Sequence, residues 1–196
     1  MAQFVVTVTF TEPLLGAVPM NKELYGDYIA TKAPTAEPPE DEMTSVVELT
    51  EKGTTGFHRV DGIPILYDYV IKGFFKEACS MLRRCPGTVS SKMTAFKKII
   101  DGLVFIEPRQ MPISVVGEIG ILERPLRAQT AQGERIALAR SEMLGRGSSM
   151  TFTVKTLGSV VSEDTLREWL DYGALHGLGQ WRNASYGSFT YELTEK

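Results

Sequence analysis

Residues 4–10 read Phe-Val-Val-Thr-Val-Thr-Phe, an unbroken run of β-branched and aromatic residues. Successive side chains of a strand point to opposite faces, so Phe4, Val6, Val8 and Phe10 share one face and Val5, Thr7 and Thr9 the other. This predicts a strand at the centre of a sheet. Glu12-Pro13 ends it, and Leu14-Leu15-Gly16 opens a long irregular region. From Ala17 to about Glu42, Pro19, Pro34, Pro38 and Pro39 stand among acids and small residues with no sustained period. A stretch this long without its own structure is usually functional or mobile inside a compact domain. Val46–Leu49 and Gly56–Val60 flank a Glu-Lys-Gly turn and are expected to pair as a hairpin. Segment 17–60 therefore reads as an insertion projecting from the sheet, within one domain spanning 1–196.

Asp61–Tyr67 reads as an extended approach to a helix. Ile71, Phe74, Phe75, Ala78 and Leu82 then recur at helical spacing, with Lys72, Lys76, Arg83 and Arg84 left for the outer face. Pro86-Gly87 stops that helix, and Met93, Phe96, Ile99 and Ile100 indicate a second short one, ended by Asp101-Gly102. Leu103–Ile106, Ile113–Val116 and Met150–Val154 read as strands. Arg124, Arg127 and Arg135 are placed in or near a loop. Ser162 is positioned to cap a helix that turns Leu166, Trp169 and Leu170 inward, with Glu163 and Asp164 at its positive end. Ser188–Leu193 alternates as a last strand. The order strand, insertion, helix, strands, helix, glycine loop, strand fits an α+β fold with a ferredoxin-like or RRM-like βαββαβ core. Both helices would cover one face of the sheet and leave the other free for a ligand.

Between the capped helix and the last strand lies Gly177–Phe189, rich in glycine and holding Trp181, Arg182 and Tyr186. Gly177 and Gly179 can adopt backbone angles closed to other residues and turn their N–H groups toward an anion such as phosphate. Arg182 would add a charge, and Trp181 or Tyr186 a face on which a base can stack. The simpler alternative is a glycine turn leading into a strand whose aromatics belong to the core.

A net charge of −3 argues against non-specific coating of duplex DNA, yet the charge is segregated. Glu37, Glu40, Asp41, Glu42, Glu48 and Glu51 crowd one segment, whereas Lys72, Lys76, Arg83, Arg84, Lys92, Lys97 and Lys98 face a single acid, Glu77, in another. Such a basic segment suits either a groove for one nucleic-acid strand or a solvated helix face. Cys79 and Cys85 make no zinc set with the distant His58 and His176 and are expected to be buried free thiols. No metal or other cofactor is called for. No apolar run approaches the length needed to cross a bilayer, and no leader pattern is present at the start, so a cytoplasmic protein with no membrane partner is expected.

Four stretches, in order along nearly the whole chain, resemble the RAMP superfamily, the repeat-associated proteins that build CRISPR effector backbones. They are Phe4–Phe10 with Pro13-Leu-Leu-Gly16; Asp61-Gly-Ile-Pro-Ile leading to Val70-Ile-Lys-Gly-Phe-Phe-Lys76; Glu142-Met-Leu-Gly-Arg-Gly-Ser-Ser with the strand after it; and Gly177-Leu-Gly-Gln-Trp-Arg through Phe189. The usual serine-rich approach to the Lys-Gly pair is here Leu66-Tyr-Asp-Tyr69, and an arginine often found a turn later is Lys76. The resemblance implies that Lys72-Gly73 opens the first helix, and that single-stranded RNA is held along the chain, which multimerises with copies of itself or other effector subunits. RNA-binding candidates are Lys72, Gly73, Lys76, Gly177, Gly179, Trp181 and Arg182.

Two other readings stand beside this one. Related repeat-processing or target-cutting endoribonucleases would use His176 or His58 as a general base, or Asp27 as the aspartate after the first strand. A phage-encoded interaction or decoy protein would keep the fold, lose the RNA site and bind a CRISPR complex; the acidic balance leans that way.

Overall fold

The computed structural model describes residues 1–20, 53–130 and 133–196, with backbone only for 126–130 and 133–137. Four strands form an antiparallel sheet in the order β12-β1-β11-β7: β1 (Ala2–Phe10), β7 (Val104–Glu107), β11 (Ser149–Thr156) and β12 (Phe189–Glu195). With α1 (Asp68–Leu82) between β1 and β7, and α3 (Glu163–His176) between β11 and β12, this is the ferredoxin-like βαββαβ arrangement.

The alternation in the first strand sets the layers. Phe4, Val6, Val8 and Phe10 are buried, and so are Met150, Phe152 and Val154 beside them in β11. They form one core with Ile71, Phe74, Phe75 and Ala78 of α1 and with Leu166, Trp169 and Leu170 of α3. The opposite face of the sheet carries hydroxyls, and Thr7 bonds across the register to Thr151 at 3.0 Å.

Trp169 is fully buried, and its indole N–H donates to Ser90 Oγ at 3.0 Å, giving this large side chain the polar partner it needs. Glu168, next to it, accepts from the amides of Val89 and Ser90 at 2.6 and 3.0 Å. Together they anchor α3 to the link between α1 and α2 (Phe96–Leu103). Ser162 Oγ accepts from Thr165 N in a capping box, with Glu163 and Asp164 in the first turn as expected. Asp101 and Gly102 lie inside α2, which runs on to Leu103.

Cys79 is buried, its Sγ 3.8 Å from Met93 Sδ, and burial pushes the thiol up. Cys85, expected to be buried, is exposed, because α1 ends at Leu82 and the chain turns outward there. Thr88 Oγ1 closes the helix end by donating to the Leu82 and Cys85 carbonyls.

The remaining strands build two smaller sheets. β2 (Leu14–Leu15), β3 (Val18–Pro19) and β4 (Thr54–Gly56) join a long hairpin, β9 (Gly120–Thr130) and β10 (Gly133–Leu144). β5 (His58–Val60), β6 (Ile63–Tyr67) and β8 (Gln110–Pro112) form the other. Gly56–Val60 was expected to pair with Val46–Leu49, which lies outside the described residues; His58–Val60 pairs with Ile63–Ile65, so the approach to α1 is itself a hairpin arm.

The hairpin β9–β10 replaces the loop expected around Arg124, Arg127 and Arg135. Pro125 hides it in the sequence, since proline reads as a strand breaker. It is tolerated because β9 pairs only with β10 among the described strands, so the missing N–H costs no ladder bond. Among the described residues no helix is long and apolar enough to cross a membrane.

Candidate nucleic-acid interface

The glycine-rich loop folds back on the turn after β1. Gly187 has φ 72°, and a Cβ there would lie 2.0 Å from the Leu178 carbonyl oxygen. Gly179 has φ 81°, and a Cβ there would lie 2.6 Å from the Leu15 carbonyl oxygen. These positions need glycine for close backbone approach as well as for the dihedral. The amides follow the same logic. Gly177 N–H donates to the Gly173 carbonyl at 2.7 Å, Leu178 N–H to Gly187 at 3.0 Å, and Gly187 N–H to Pro13 at 2.9 Å. Of the expected cradle, the Gly177 amide is thus bonded within the protein, where Gly177 serves as the C-cap of α3.

Arg182 forms an ion pair with Glu77 of α1, and His176 Nε2 lies 3.2 Å from the other oxygen of that carboxylate. The His176 ring packs against Tyr172, centroids 5.0 Å apart. Burial pushes the Tyr172 phenol up, the charge of Glu77 adds to the effect and that of Arg182 opposes it. Glu77 was visible in the sequence as the lone acid in a basic segment, but nothing in its spacing pointed to Arg182.

Lys72 and Lys76 turn the other way. Lys76 pairs with Asp101 of α2, and Lys72 Nζ donates to the Asp101 carbonyl at 3.4 Å while lying 5.2 Å from the centre of the Phe105 ring. Glu77 follows Lys76 by one residue, about 100° around the helix, so the lysines and Arg182 engage different sides of α1. Gly73 lies within α1, five residues after its first, where an added Cβ would meet nothing within 4 Å. The Lys72-Gly73 pair therefore sits one turn inside the helix and does not open it. Asp27 lies outside the described residues.

Trp181 takes φ 56° and meets Tyr186 edge to face, centroids 6.3 Å apart. Arg124 of β9 covers both rings, 5.9 Å from the Trp181 centre and 5.7 Å from that of Tyr186, and donates to the Tyr186 hydroxyl at 3.0 Å. An arginine over two aromatic faces joins the long hairpin to the glycine loop. Its partner in the sequence was hidden by the same Pro125 that hid the strand.

Glu142 of β10 is the second anchoring carboxylate. It accepts from Phe57 N–H at 3.0 Å and pairs with Arg59 at 2.7 Å, with its side chain only 12% exposed. Beside it Thr55 and Ser141 hydroxyls lie 2.8 Å apart, and Ser141 donates to Gln180 Oε1 at 3.4 Å.

A cavity of about 210 Å³ lies among these elements, lined by Leu15 after β1, Gly56–His58, Ile65–Tyr67 with Tyr69 and Val70, and Gly179. Three of the four stretches singled out in the sequence contribute to its wall, and Glu142 from the fourth holds Phe57 in place behind it. His58 stands on this wall with its ring edge against Tyr67, on a different element from His176 and with a different partner.

No protein-family model and no curated protein matches the sequence. Solved structures match in shape. The chain is similar to a chain in the cryo-EM structure of the type III-B Cmr-beta bound to cognate target RNA, at TM-score 0.52 and 12% identity over 99% of its residues. The likeness is one of fold. The match covers 60% of the length of that chain. A chain of the type IV-B CRISPR complex is similar at TM-score 0.49 and 11% identity, with 98% of this chain and 90% of that one covered.

The arrangement can do two things chemically. Arg124 with Trp181 and Tyr186 presents a cation and aromatic faces together, a combination suited to bases and phosphates of a single strand. Glu77 and Asp101 neutralise neighbouring cations, so the charge offered to a polyanion is smaller than the basic segment suggests.

Proposed function

We propose that this chain is a RAMP-like single-stranded RNA-binding subunit of a CRISPR effector-type complex that holds RNA without cutting it and stacks with copies of itself or other subunits. The supporting observation is the convergence of three of the four signature stretches on one cavity, on a fold shared over nearly the full chain with a component of an RNA-bound assembly. Backbone grip in this reading comes mainly from side chains, with Lys72, Lys76, Arg124 and Arg182 near the phosphates and Trp181 offering a ring, since the Gly177 and Gly187 amides are already bonded. Phosphate-dominated binding to single strands makes log K fall with log salt at a slope of about −0.7 per neutralised phosphate. Fluorescence anisotropy of a labelled single-stranded RNA at increasing salt tests this. Tight binding at low salt that weakens steeply supports the proposal; no binding at low salt, or binding indifferent to salt, refutes it. The 260/280 nm absorbance ratio and native mass of the purified particle report bound RNA and multimerisation together.

One observation favours a second reading, an interaction protein that keeps the fold without the RNA site. Arg182, His176 and Lys76 are already occupied by carboxylates of the same chain. A stoichiometric protein partner purified without nucleic acid supports that reading.

A further inference from the structure

We infer that Tyr69, backed by Tyr67 and His58, forms a subsite that accepts one nucleobase of a bound single strand at the mouth of the cavity between α1 and the glycine loop; this rests on the RNA-binding reading above. Tyr69 stands in the first turn of α1 and is 58% exposed, unusual for so large a ring. It lies nearly parallel to Tyr67, interplanar angle 13° and centroids 5.4 Å apart, and Tyr67 is braced edge-on by His58 at 4.9 Å. The outer ring is held in orientation before any ligand arrives, which lowers the ordering cost of stacking on it.

The cavity behind these rings selects the kind of group that enters. At about 210 Å³ it falls below the roughly 300–1,000 Å³ of sites for drug-sized ligands, leaving room for one flat ring system. Leu15, Val18, Ile65 and Val70 make its wall apolar, and among the described residues no Lys, Arg, Asp or Glu lines it. A phosphate would be stripped of water there with no described lysine or arginine to balance its charge. A base would lose little, and its own phosphates would remain outside, three residues along the same helix at Lys72.

The test uses the full chain and an oligouridylate carrying a single 2-aminopurine, with fluorescence and anisotropy read together. Binding is expected to quench the 2-aminopurine, and Tyr69→Ala to abolish that quench and weaken affinity about 5- to 150-fold, the effect of losing one stacked base. Tyr69→Phe is expected to retain both, and the salt slope to stay unchanged in either variant. Circular dichroism checks that each variant is folded, and Tyr69→Leu, which keeps an apolar side chain without an aromatic face, repeats the test. If the wild-type chain binds RNA with the expected salt dependence but Tyr69→Ala keeps the quench and the affinity, the base subsite is overturned and the RNA-binding reading stands. If the wild-type chain binds no RNA, both fall.

Discussion

Arg182 and Glu77 form an ion pair that ties the glycine-rich loop to the middle of α1, and the same carboxylate holds His176 at the end of α3. One acid thus joins three elements and mutes the cation that the sequence offers most openly to a polyanion. Both side chains remain about one-third exposed, so the pair is screened by solvent.

Glu77→Gln tests that muting. A partly exposed pair contributes about 0.2–1 kcal/mol, so the melting temperature is expected to drop by only a few degrees. RNA affinity at low salt is expected to rise, with a steeper salt slope, because Arg182 is released toward the phosphates. Thermal melting and anisotropy on the same variant separate the two effects; unchanged affinity would leave Arg182 outside the RNA path.

Gly187→Ala and Gly73→Ala are expected to act in opposite directions. At Gly187 a methyl would be driven to 2.0 Å from a backbone oxygen at φ 72°, and several kcal/mol of stability should be lost. At Gly73 nothing lies within 4 Å, and alanine in an exposed helix position should stabilise by about 0.5–1 kcal/mol. Urea midpoints measure both. Weaker RNA binding by the stabilised Gly73→Ala would show that a strand passes over that bare stretch of α1.

Arg124→Ala should uncouple the long hairpin from the loop. An exposed cation–π contact contributes about 0.5–1 kcal/mol, so the stability change is small while the surroundings of Trp181 change. Trp169 is fully buried and Trp181 is not, so an altered emission with little shift in the melt is the expected signature. Arg124→Lys should not restore it, since an ammonium lacks the planar guanidinium that lies over both rings.

Tyr191 gives a pH prediction. Burial, and then its 2.6 Å hydrogen bond to Asp171, push the phenol up to about 12 from an ordinary value of 10. An unfolded tyrosine loses its proton first, so this contribution to stability is complete below pH 10 and is lost as pH rises from there toward 12. Absorbance titration at the tyrosinate band should show one phenol ionising late, and Asp171→Asn should bring it part of the way back, because burial remains. Full return to the ordinary value would mean that the hydrogen bond, not burial, is the main cause.

What the sequence determined by itself is the set of local decisions. The buried face of β1, the inward face of α1 at Ile71, Phe74, Phe75 and Ala78, and the Ser162 cap of α3 could all be read from periodicity and capping chemistry, because each depends on residues a few positions apart. Their order was enough for the βαββαβ core. Tertiary structure alone decided which distant groups meet. Glu77 finds Arg182 across 105 positions, Arg124 finds Tyr186 across 62, and Phe57 finds Glu142 across 85. Such pairings carry no spacing signal, since they are set by how sheets and helices stack once the core has closed. The same closure packed the glycine loop against the turn after β1, because backbones that approach within van der Waals contact bond amides such as those of Gly177 and Gly187 internally.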